Sequence, residues 1–149
     1  MINEPNTIYE IRYDFDLNGV TISIPEGCSL DFRGGSISNG LLEGSLPGII
    51  DLNYIRYDDL SDFFDHITLI DGNTVILERN KVYTISSAIH IAGPLRNISI
   101  KGSNAVLNNI STSENLTSII AFFGKTKYSN VVNITSSSSF GSKIDLQPD

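Results

Sequence analysis

Short apolar runs follow one another quickly along this chain, and glycine or asparagine separates them. In residues 24–40, IPEGCSLDFRGGSISNG, the apolar positions Leu30, Phe32 and Ile37 fall in runs too short for a helix. A β-sandwich would require strands of roughly five or six residues with turns roughly every 8–12 residues. Such short strands with Gly-Gly and Asn-Gly corners predict a chain that coils into a solenoid, each coil pairing with the one before it.

Two runs before this segment alternate between apolar and polar positions. One is TIYEIRY at residues 7–13, and the other is VTISI at residues 20–24, which places Val20 and both isoleucines on one face. Asn18-Gly19, just before VTISI, is by itself a signal for a type I′ hairpin turn. The runs that follow come too quickly for a series of hairpins, so the solenoid is the preferred interpretation.

Residues 57–67, YDDLSDFFDHI, change to a helical pattern. Asp58 and Asp59 suit a helix N-terminus, where the macrodipole favours carboxylates. The spacing predicts one helix about three turns long, with its aspartates largely opposite the apolar face. That face follows the i, i+3, i+4, i+7 pattern through Leu60, Phe63, Phe64 and Ile67.

From residue 74 the short apolar runs return, and polar or glycine corners separate most of them. Residues 97–102, NISIKG, are typical, with two inward isoleucines before a glycine turn. At roughly 20–29 residues per coil, the remainder has room for about three coils. The runs are TVILE, VYTIS, AIHIA, NISIK, AVLNN, SIIAFF and NVVNI.

Length and charge limit the possible classes. The 149 residues fit one domain or two very small ones. The net charge is −7, and the basic residues are scattered, with Lys125 and Lys127 nearest to a cluster, so no nucleic-acid partner is predicted. No window approaches the roughly 20 apolar residues of a membrane span. Residues 1–16 lack the basic and apolar regions of a secretion signal.

Paired carboxylates are the first candidates for chemistry, because glycoside hydrolysis uses two of them. Asp14 and Asp16 flank the Asn-Gly turn and are interpreted as turn residues. Asp31 and Glu43 are placed on different coils and are a minor candidate for convergence in space. The four acids of the helical segment are interpreted as its solvated face and N-terminal charge, and they lack the spacing of a calcium loop. They are Asp58, Asp59, Asp62 and Asp65.

Other reactive residue types also have plain structural interpretations. Cys28, the single cysteine, is predicted to be a small buried filler. His66 and His90 have no companion ligand at metal-binding spacing, and His90 between two isoleucines should face outward. The four serines at 136–139 have no base indicated beside them. Gly34-Gly35 lacks the Lys-Ser/Thr of a phosphate loop.

Tyrosine and asparagine complete the candidates. Exposed tyrosines could stack on sugars, but a buried or half-buried tyrosine is the commoner case. The tyrosines are Tyr9, Tyr13, Tyr54, Tyr57, Tyr83 and Tyr128. Asparagines that begin Asn-x-Ser/Thr triplets are interpreted as solenoid corners, and they are Asn97, Asn109, Asn115 and Asn133. The sequence therefore predicts no catalytic residue, no cofactor-binding residue and no metal site.

The helical segment followed by TVILERNKVYTISSAIHIAGPLRNISIKGSNAVL resembles the entry into a pectate-lyase-like right-handed parallel β-helix. Proteins of that superfamily often open with a capping helix, a strand ending in a Pro-x-Gly-x-Tyr turn, and further short strands. This chain departs from the pattern at Asn80-Lys81, where the family usually has Pro and Gly. The turn is expected to be altered, although asparagine tolerates left-handed geometry.

The segment YDFDLNGVTISIPEGCSLDFRGGSISNGLLEGS resembles a more specific group. Similar runs occur in β-helical proteins of gut Bacteroidales and of phages that infect them. The two resemblances together cover roughly residues 7–110. They imply an all-β, right-handed, single-stranded parallel β-helix with one short capping α-helix.

The predicted organisation has two parts. Residues 1–55 form an N-terminal β-rich segment with short strands, and residues 56–149 contain the capping helix and the first coils of the β-helix. Because a bare terminal coil exposes unpaired backbone and an apolar cross-section, solenoids need caps at their ends. Residues 141–149 do not look like a cap. The chain is therefore expected to be the start of a longer protein or a protomer covered by partners, such as a homotrimer.

Two functions follow as expectations. The first is a structural component of a phage tail spike or fibre, located in the virion, that connects the particle to a distal region binding a host glycan or receptor. Its partners would be copies of itself or other virion proteins, with a host surface polysaccharide as a further candidate. The alternative is the N-terminal part of a secreted or surface polysaccharide lyase or glycoside hydrolase whose catalytic coils lie beyond these residues. A stand-alone carbohydrate-binding module is a third, minor possibility.

Overall fold

The structure, a computed structural model, describes residues 2–92, 95–110, 118–123, 126–127, 130–137 and 143–146, and the side chains discussed below lie within residues 2–110. The first two coils contain β1 (Ile8–Ile11), β2 (Phe15–Asp16), β3 (Thr21–Ser23), β4 (Ser29–Phe32), β5 (Ile37–Ser38) and β6 (Leu41–Glu43). Next come β7 (Ile49–Asp51), α1 (Leu60–His66), β8 (Thr74–Ile76), β9 (Val82–Ile85), β10 (Ile89–Ala92) and β11 (Leu95–Arg96). The later strands are β12 (Ser99–Asn109), β13 (Ser118–Phe123), β14 (Thr126–Lys127), β15 (Asn130–Ser137) and β16 (Lys143–Leu146).

The strand pairs are parallel, and together they form a right-handed parallel β-helix with one short helix, as the sequence predicts. β1, β2 and β3 pair with β4, β5 and β6 in that order, so the second coil repeats the path of the first. Further along, β7, β8, β12 and β15 stack in one sheet and mark about four turns. Bridges from Ile37 to Ile55 and from Gly44 to Ile67 connect the first coils to this later part.

Inward side chains form columns along the axis of the coil. Ile50 pairs in register with Val75, and Val75 with the corresponding residue of β12, Ile100. All three are at most 1% exposed. Tyr83 and Leu107 make a second fully buried pair on neighbouring strands. Each coil therefore buries the apolar surface of the coil before it, and this stacking forms the core.

Asparagine makes the left-handed corners that the resemblance leaves in doubt. Among the residues that the structure describes, every non-glycine residue at positive φ is an asparagine: Asn6, Asn18, Asn39, Asn80, Asn97 and Asn104. Asn80 has φ 58°, so the left-handed residue of the turn between β8 and β9 is an asparagine. Asparagine adopts the left-handed region more readily than most other non-glycine residues do.

The Asn18-Gly19 turn has type I′ geometry but does not join a hairpin. Both residues have positive φ, and the Val20 N–H donates to the Leu17 carbonyl at 3.0 Å. The turn leads from β2 to β3, which pair with different strands, so it is a corner between two faces of one coil. Val20 lies at this corner and is exposed, whereas Ile24, predicted on the same face, is buried.

The glycines of the RGGSISNG segment allow two coils to approach closely. A Cβ at Gly35 would lie 2.2 Å from the Tyr13 carbonyl oxygen, and one at Gly40 would lie 2.6 Å from the Val20 carbonyl oxygen. Both contacts are with backbone of the preceding coil, which a side-chain rotation cannot relieve. The short runs of the opening segment are thus separated by positions where the first coil passes directly against the second.

The helix is shorter than the predicted span of residues 57–67. Asp59 is its N-cap, and the Asp59 carboxylate accepts a hydrogen bond from the Ser61 N–H at 2.8 Å. Asp59 also forms a parallel bridge with Thr84, which holds the preceding residues in an extended conformation. At the other end, Ile67 is extended because it bridges Gly44. Strand pairing at both ends therefore overrides the helical pattern.

Asn73 is a fully buried polar residue that ties two segments together. Its side-chain amide donates to the carbonyls of Leu46 and Gly48 at 2.9 and 3.0 Å, and its side-chain oxygen accepts from the Ile70 N–H at 2.7 Å. The amide thus satisfies three backbone groups at once, from a side chain that has no access to water.

Replacing Asn73 with alanine is expected to lower the free energy of unfolding by about 3 kcal/mol, because a buried side chain and its three hydrogen bonds to the backbone are lost. The matched control is Asn108→Ala at an exposed position of β12, which should change stability by less than about 0.5 kcal/mol. Urea unfolding followed by circular dichroism measures both. Equal effects of the two substitutions would contradict the assigned role of Asn73.

Gly35→Ala is expected to destabilise the protein by about 2 kcal/mol, because the added methyl group must displace the backbone at Tyr13. Ser38→Ala, a half-buried position in the same coil, serves as the control and should be nearly neutral. Thermal unfolding of the two variants makes the comparison. If Gly35→Ala unfolds at the wild-type temperature, the first two coils do not approach as described.

Candidate functional site

A lateral cleft on the first two coils is a polar candidate site. It has a volume of about 460 Å³, and Glu10, Arg12, Tyr13 and Arg33 line it. The parallel register places Glu10 next to Asp31 on the neighbouring strand. The cleft is therefore built from equivalent positions of two successive coils.

Ion pairs balance the charges in this lateral cleft. Arg12 pairs with Glu10 in the first coil, and Arg33 Nε lies 2.8 Å from Asp31 Oδ2 in the second. Because Glu10 and Asp31 are neighbours of like charge, each arginine offsets a repulsion that the register would create. The pairs are exposed and screened by water, so their contribution to stability is small.

The lateral cleft offers hydrogen-bond donors and acceptors beside an aromatic ring. Tyr13 is 74% exposed and lies next to the two arginines. This combination suits a polar ligand with a flat apolar face. Arg12 and Arg33 are not among the site residues predicted from the sequence. A signal for them was present, because the pattern acid-x-arginine occurs twice, as E-I-R at 10–12 and D-F-R at 31–33.

A second cluster surrounds Lys81 at the turn between β8 and β9. Lys81 Nζ lies 2.9 Å from Asp58 Oδ1 and 3.3 Å from Glu78 Oε2. It also lies 5.6 Å from the centre of the Tyr83 ring. The Tyr83 hydroxyl accepts a hydrogen bond from the Glu78 N–H at 2.8 Å. The cluster links the segment before α1 to the turn between β8 and β9.

Burial and charge shift the pKa values in the Lys81 cluster. Partial burial lowers the pKa of Lys81, but hydrogen bonds and charge interactions with Asp58 and Glu78 outweigh it, so the Lys81 pKa is raised. Burial raises the pKa of Tyr83, so its hydroxyl stays protonated. The arrangement is that of a structural clamp between two segments.

The carboxylates considered from the sequence form local contacts in the structure. Asp16 accepts from the Asn18 N–H and from the Asn39 side chain, both at 2.8 Å, as expected for a turn residue. Asp14 accepts from the Ser36 hydroxyl at 2.6 Å, which links the first coil to the second. Both aspartates therefore hold corners in place.

Asp31 and Glu43 lie on different faces of the same coil, whereas the sequence analysis placed them on different coils. Asp31 is in β4 and pairs with Arg33, and Glu43 is in β6 beside the Ser23 hydroxyl at 3.4 Å. The error arose because three short strands, each only two to four residues long, fit within one coil.

The acids of the helical segment are mostly exposed, with Asp59 at the N-cap. Partial burial and the charge of Asp59 raise the pKa of Asp62, while nearby His66 acts in the opposite direction. The ring Nδ1 of His66 lies 2.8 Å from the Asp62 carbonyl, four residues earlier. His90 is exposed on β10, which confirms its predicted outward orientation.

Cys28 is fully buried, as predicted, and its thiol donates to the Glu4 carbonyl at 3.0 Å. Two of the tyrosines, Tyr57 and Tyr83, are buried, whereas Tyr13 and Tyr54 are exposed. Tyr54 stacks on Phe32, with ring centres 5.4 Å apart. Five of the residues considered lie outside the described residues, and they are Asn115, Lys125, Tyr128, Ser138 and Ser139. The side chains of Asn109, Lys127, Asn133, Ser136 and Ser137 also lie outside the described part.

Two further features are absent from the described part of the chain. Among those residues, no group of three or more His, Cys, Asp or Glu side chains is arranged to hold a metal ion. In the same part of the chain, no helix has the length and apolar character needed to cross a membrane.

Comparison with known proteins gives no relative. No protein-family model, no curated protein and no solved structure matches this chain. The fold is therefore established from the structure alone.

Replacing Lys81 with methionine tests the clamp. Because the Lys81 pKa is higher in the folded protein, its charge stabilises the fold fully below the ordinary lysine pKa of about 10.4. This contribution to stability is lost as the pH rises through the pKa that Lys81 has in the folded protein. Lys81→Met is therefore expected to cost about 1 kcal/mol or less at pH 7, since Asp58 is exposed to solvent, and the cost should shrink at higher pH.

Urea unfolding between pH 7 and pH 11 or so, in the range of lysine titration, measures the difference between wild type and variant. Lys81→Arg, which keeps the positive charge throughout that range, is the control and should remain close to wild type at pH 7. A difference between wild type and Lys81→Met that does not depend on pH would show that the packing of the lysine stem, and not its charge, is responsible.

Proposed function

We propose that this chain is a structural segment of a phage tail spike or fibre, which connects the virion to a distal region that binds a host glycan or receptor. The observation that carries the proposal is the continuous column Ile50, Val75 and Ile100, together with the parallel ladder around it. Such a ladder joins successive coils by backbone hydrogen bonds along the whole axis. A connecting element needs this kind of axial continuity.

The architecture of the corners also supports a structural role. Many polar side chains are used to hold corners and segments together, including Asp16, Asn73 and Lys81. The resemblance of residues 13–45 to β-helical proteins of gut Bacteroidales and of phages that infect them agrees with this proposal and with the alternative below. The proposed partners are other copies of the chain or other virion proteins, and the proposed location is the virion.

The alternative is the N-terminal part of a secreted or surface polysaccharide-degrading β-helix enzyme. The lateral cleft favours it, because Tyr13 and the two ion-paired arginines present groups that suit sugar rings and hydroxyls. In this alternative the catalytic coils lie outside the present sequence, and the cleft would contribute to substrate binding only.

Fractionation of the natural source distinguishes the two functions. An antibody against the 149-residue chain is expected to detect it in purified, nuclease-resistant particles and to label their tails in electron micrographs. Detection only in the bacterial surface or secreted fraction, together with polysaccharide depolymerisation, would contradict the virion role and support the enzyme. A particle protein from the same source with a known location is the control for particle integrity.

A further inference from the structure

The first coil has an open edge that the structure leaves uncovered. β1, β2 and β3 each pair on one side with a strand of the second coil, and within the described residues no other strand lies against their opposite edges. We call these three opposite edges the first-coil edge. An open strand edge presents unpaired N–H and C=O groups to any chain that can pair with it.

Phe15 shows that the first-coil edge lacks a covering layer. It pairs in register with Ile37, which in turn bridges Ile55, so the three residues form one inward column. Ile37 and Ile55 are 4% and 3% exposed, whereas Phe15 is 47% exposed. The position of Phe15 is that of a core residue, and its exposure arises because nothing described here lies above it.

A cavity extends this apolar surface across the end of the coil. Its volume is about 210 Å³, and its lining is mainly apolar, with Ile2 the sole contributor from the residues before β1. The remaining lining residues are Tyr9, Glu10, Ile11, Phe15, Leu17, Ile22 and Ile37. Ile8 and Val20, which are 71% and 58% exposed, add further apolar surface on the same coil. Apolar surface of this kind marks an interaction site.

The backbone direction of β1 fixes which groups are available for pairing. The carbonyls of Thr7 and Ile11 accept hydrogen bonds from Ser29 and Arg33 of the second coil, at 3.1 and 2.9 Å. Because backbone groups alternate in direction along a strand, the N–H and C=O groups of Glu10 and Arg12 point toward the first-coil edge. These two residues also carry opposite charges.

We propose that a second copy of this chain covers the first-coil edge by antiparallel pairing of the two β1 strands about a two-fold axis at Ile11. In this arrangement Glu10 of each copy lies opposite Arg12 of the other, as a hydrogen-bonded pair of an antiparallel ladder. Opposite charges directly across such a pair are favourable. Glu10 and Arg12 lie on either side of Ile11, so β1 is complementary to an antiparallel copy of itself. For this reason the occupant of the first-coil edge is a second copy of the chain.

The two-fold pairing would also cover apolar side chains that are exposed in the single chain. Ile11 lies on the axis, so its side chain approaches the same residue of the second copy, beside the cavity. The exposed Ile8 and Phe15 lie on the same edge and gain cover from the facing coil. The inference goes beyond the proposed virion role and does not depend on it.

Charge variants of the full 149-residue chain test the proposal by analytical ultracentrifugation. The wild type is expected to have twice the 16.3 kDa mass of one chain. Glu10→Lys alone and Arg12→Glu alone each place like charges opposite one another at two symmetric pairs. Each is expected to raise the dimer dissociation constant about tenfold or more.

Two combinations restore complementarity. The double variant Glu10→Lys/Arg12→Glu again opposes an acid and a base at each pair, so it should dimerise like wild type. A mixture of the two single variants should form a heterodimer that neither forms alone. Circular dichroism melting of each variant, with an unchanged midpoint at low protein concentration, shows that the chain itself remains folded.

Each outcome decides the proposal. Loss of the dimer in both single variants and its recovery in the double variant and in the mixture would support it. A monomeric wild type, or an assembly whose mass does not respond to the charge variants, would overturn it. If the mixture of the two single variants does not form a heterodimer, the two-fold register at Ile11 is also overturned.

Discussion

In-register stacking of one coil on the next is the constraint on which this structure depends. Each inward side chain must lie on its counterpart in the neighbouring coil, because the backbone ladder fixes their relative positions. Ile50, Val75 and Ile100 meet this requirement with apolar residues of similar size. Burying such columns excludes water from the interior, and the parallel ladder satisfies the backbone groups between them.

The same constraint explains the unusual corners. Because the coils are only about 4.8 Å apart, a side chain at Gly35 or Gly40 would enter the backbone of the coil above. The direction of the chain must also change within one or two residues, which requires left-handed conformations. Asparagine supplies many of them, and at Asn39 its side-chain amide also donates a hydrogen bond to Asp16 of the neighbouring coil. The choice of asparagine and glycine at the corners and the close approach of the coils therefore both follow from the stacking of one coil on the next.

Much of the fold could be predicted from the sequence, because short runs and Asn or Gly corners leave few alternatives to a solenoid. The helix was also predictable, but its length was not, since the extended state of Asp59 and Ile67 comes from pairing with distant strands. The exposed state of Val20 depends on its place at a corner, which alternation alone does not indicate. The lateral cleft was missed because its arginines come from two coils whose register the sequence does not specify. The division at residue 55 and the two functions remain predictions.

The in-register stack can be tested most directly by trapping a pair of residues that it brings together. Ser23 and Glu43 are opposite one another on β3 and β6, and both are exposed, so cysteines at these positions should form a disulfide rapidly under mild oxidation. Cysteines at Thr21 and Glu43 are offset by two residues along the strand and should cross-link much more slowly, with the buried Cys28 left in place in both variants. Rapid and selective cross-linking of the first pair is the result that this account predicts. Equal rates for the two pairs, or faster cross-linking of the offset pair, would contradict the register and with it the stacked coils.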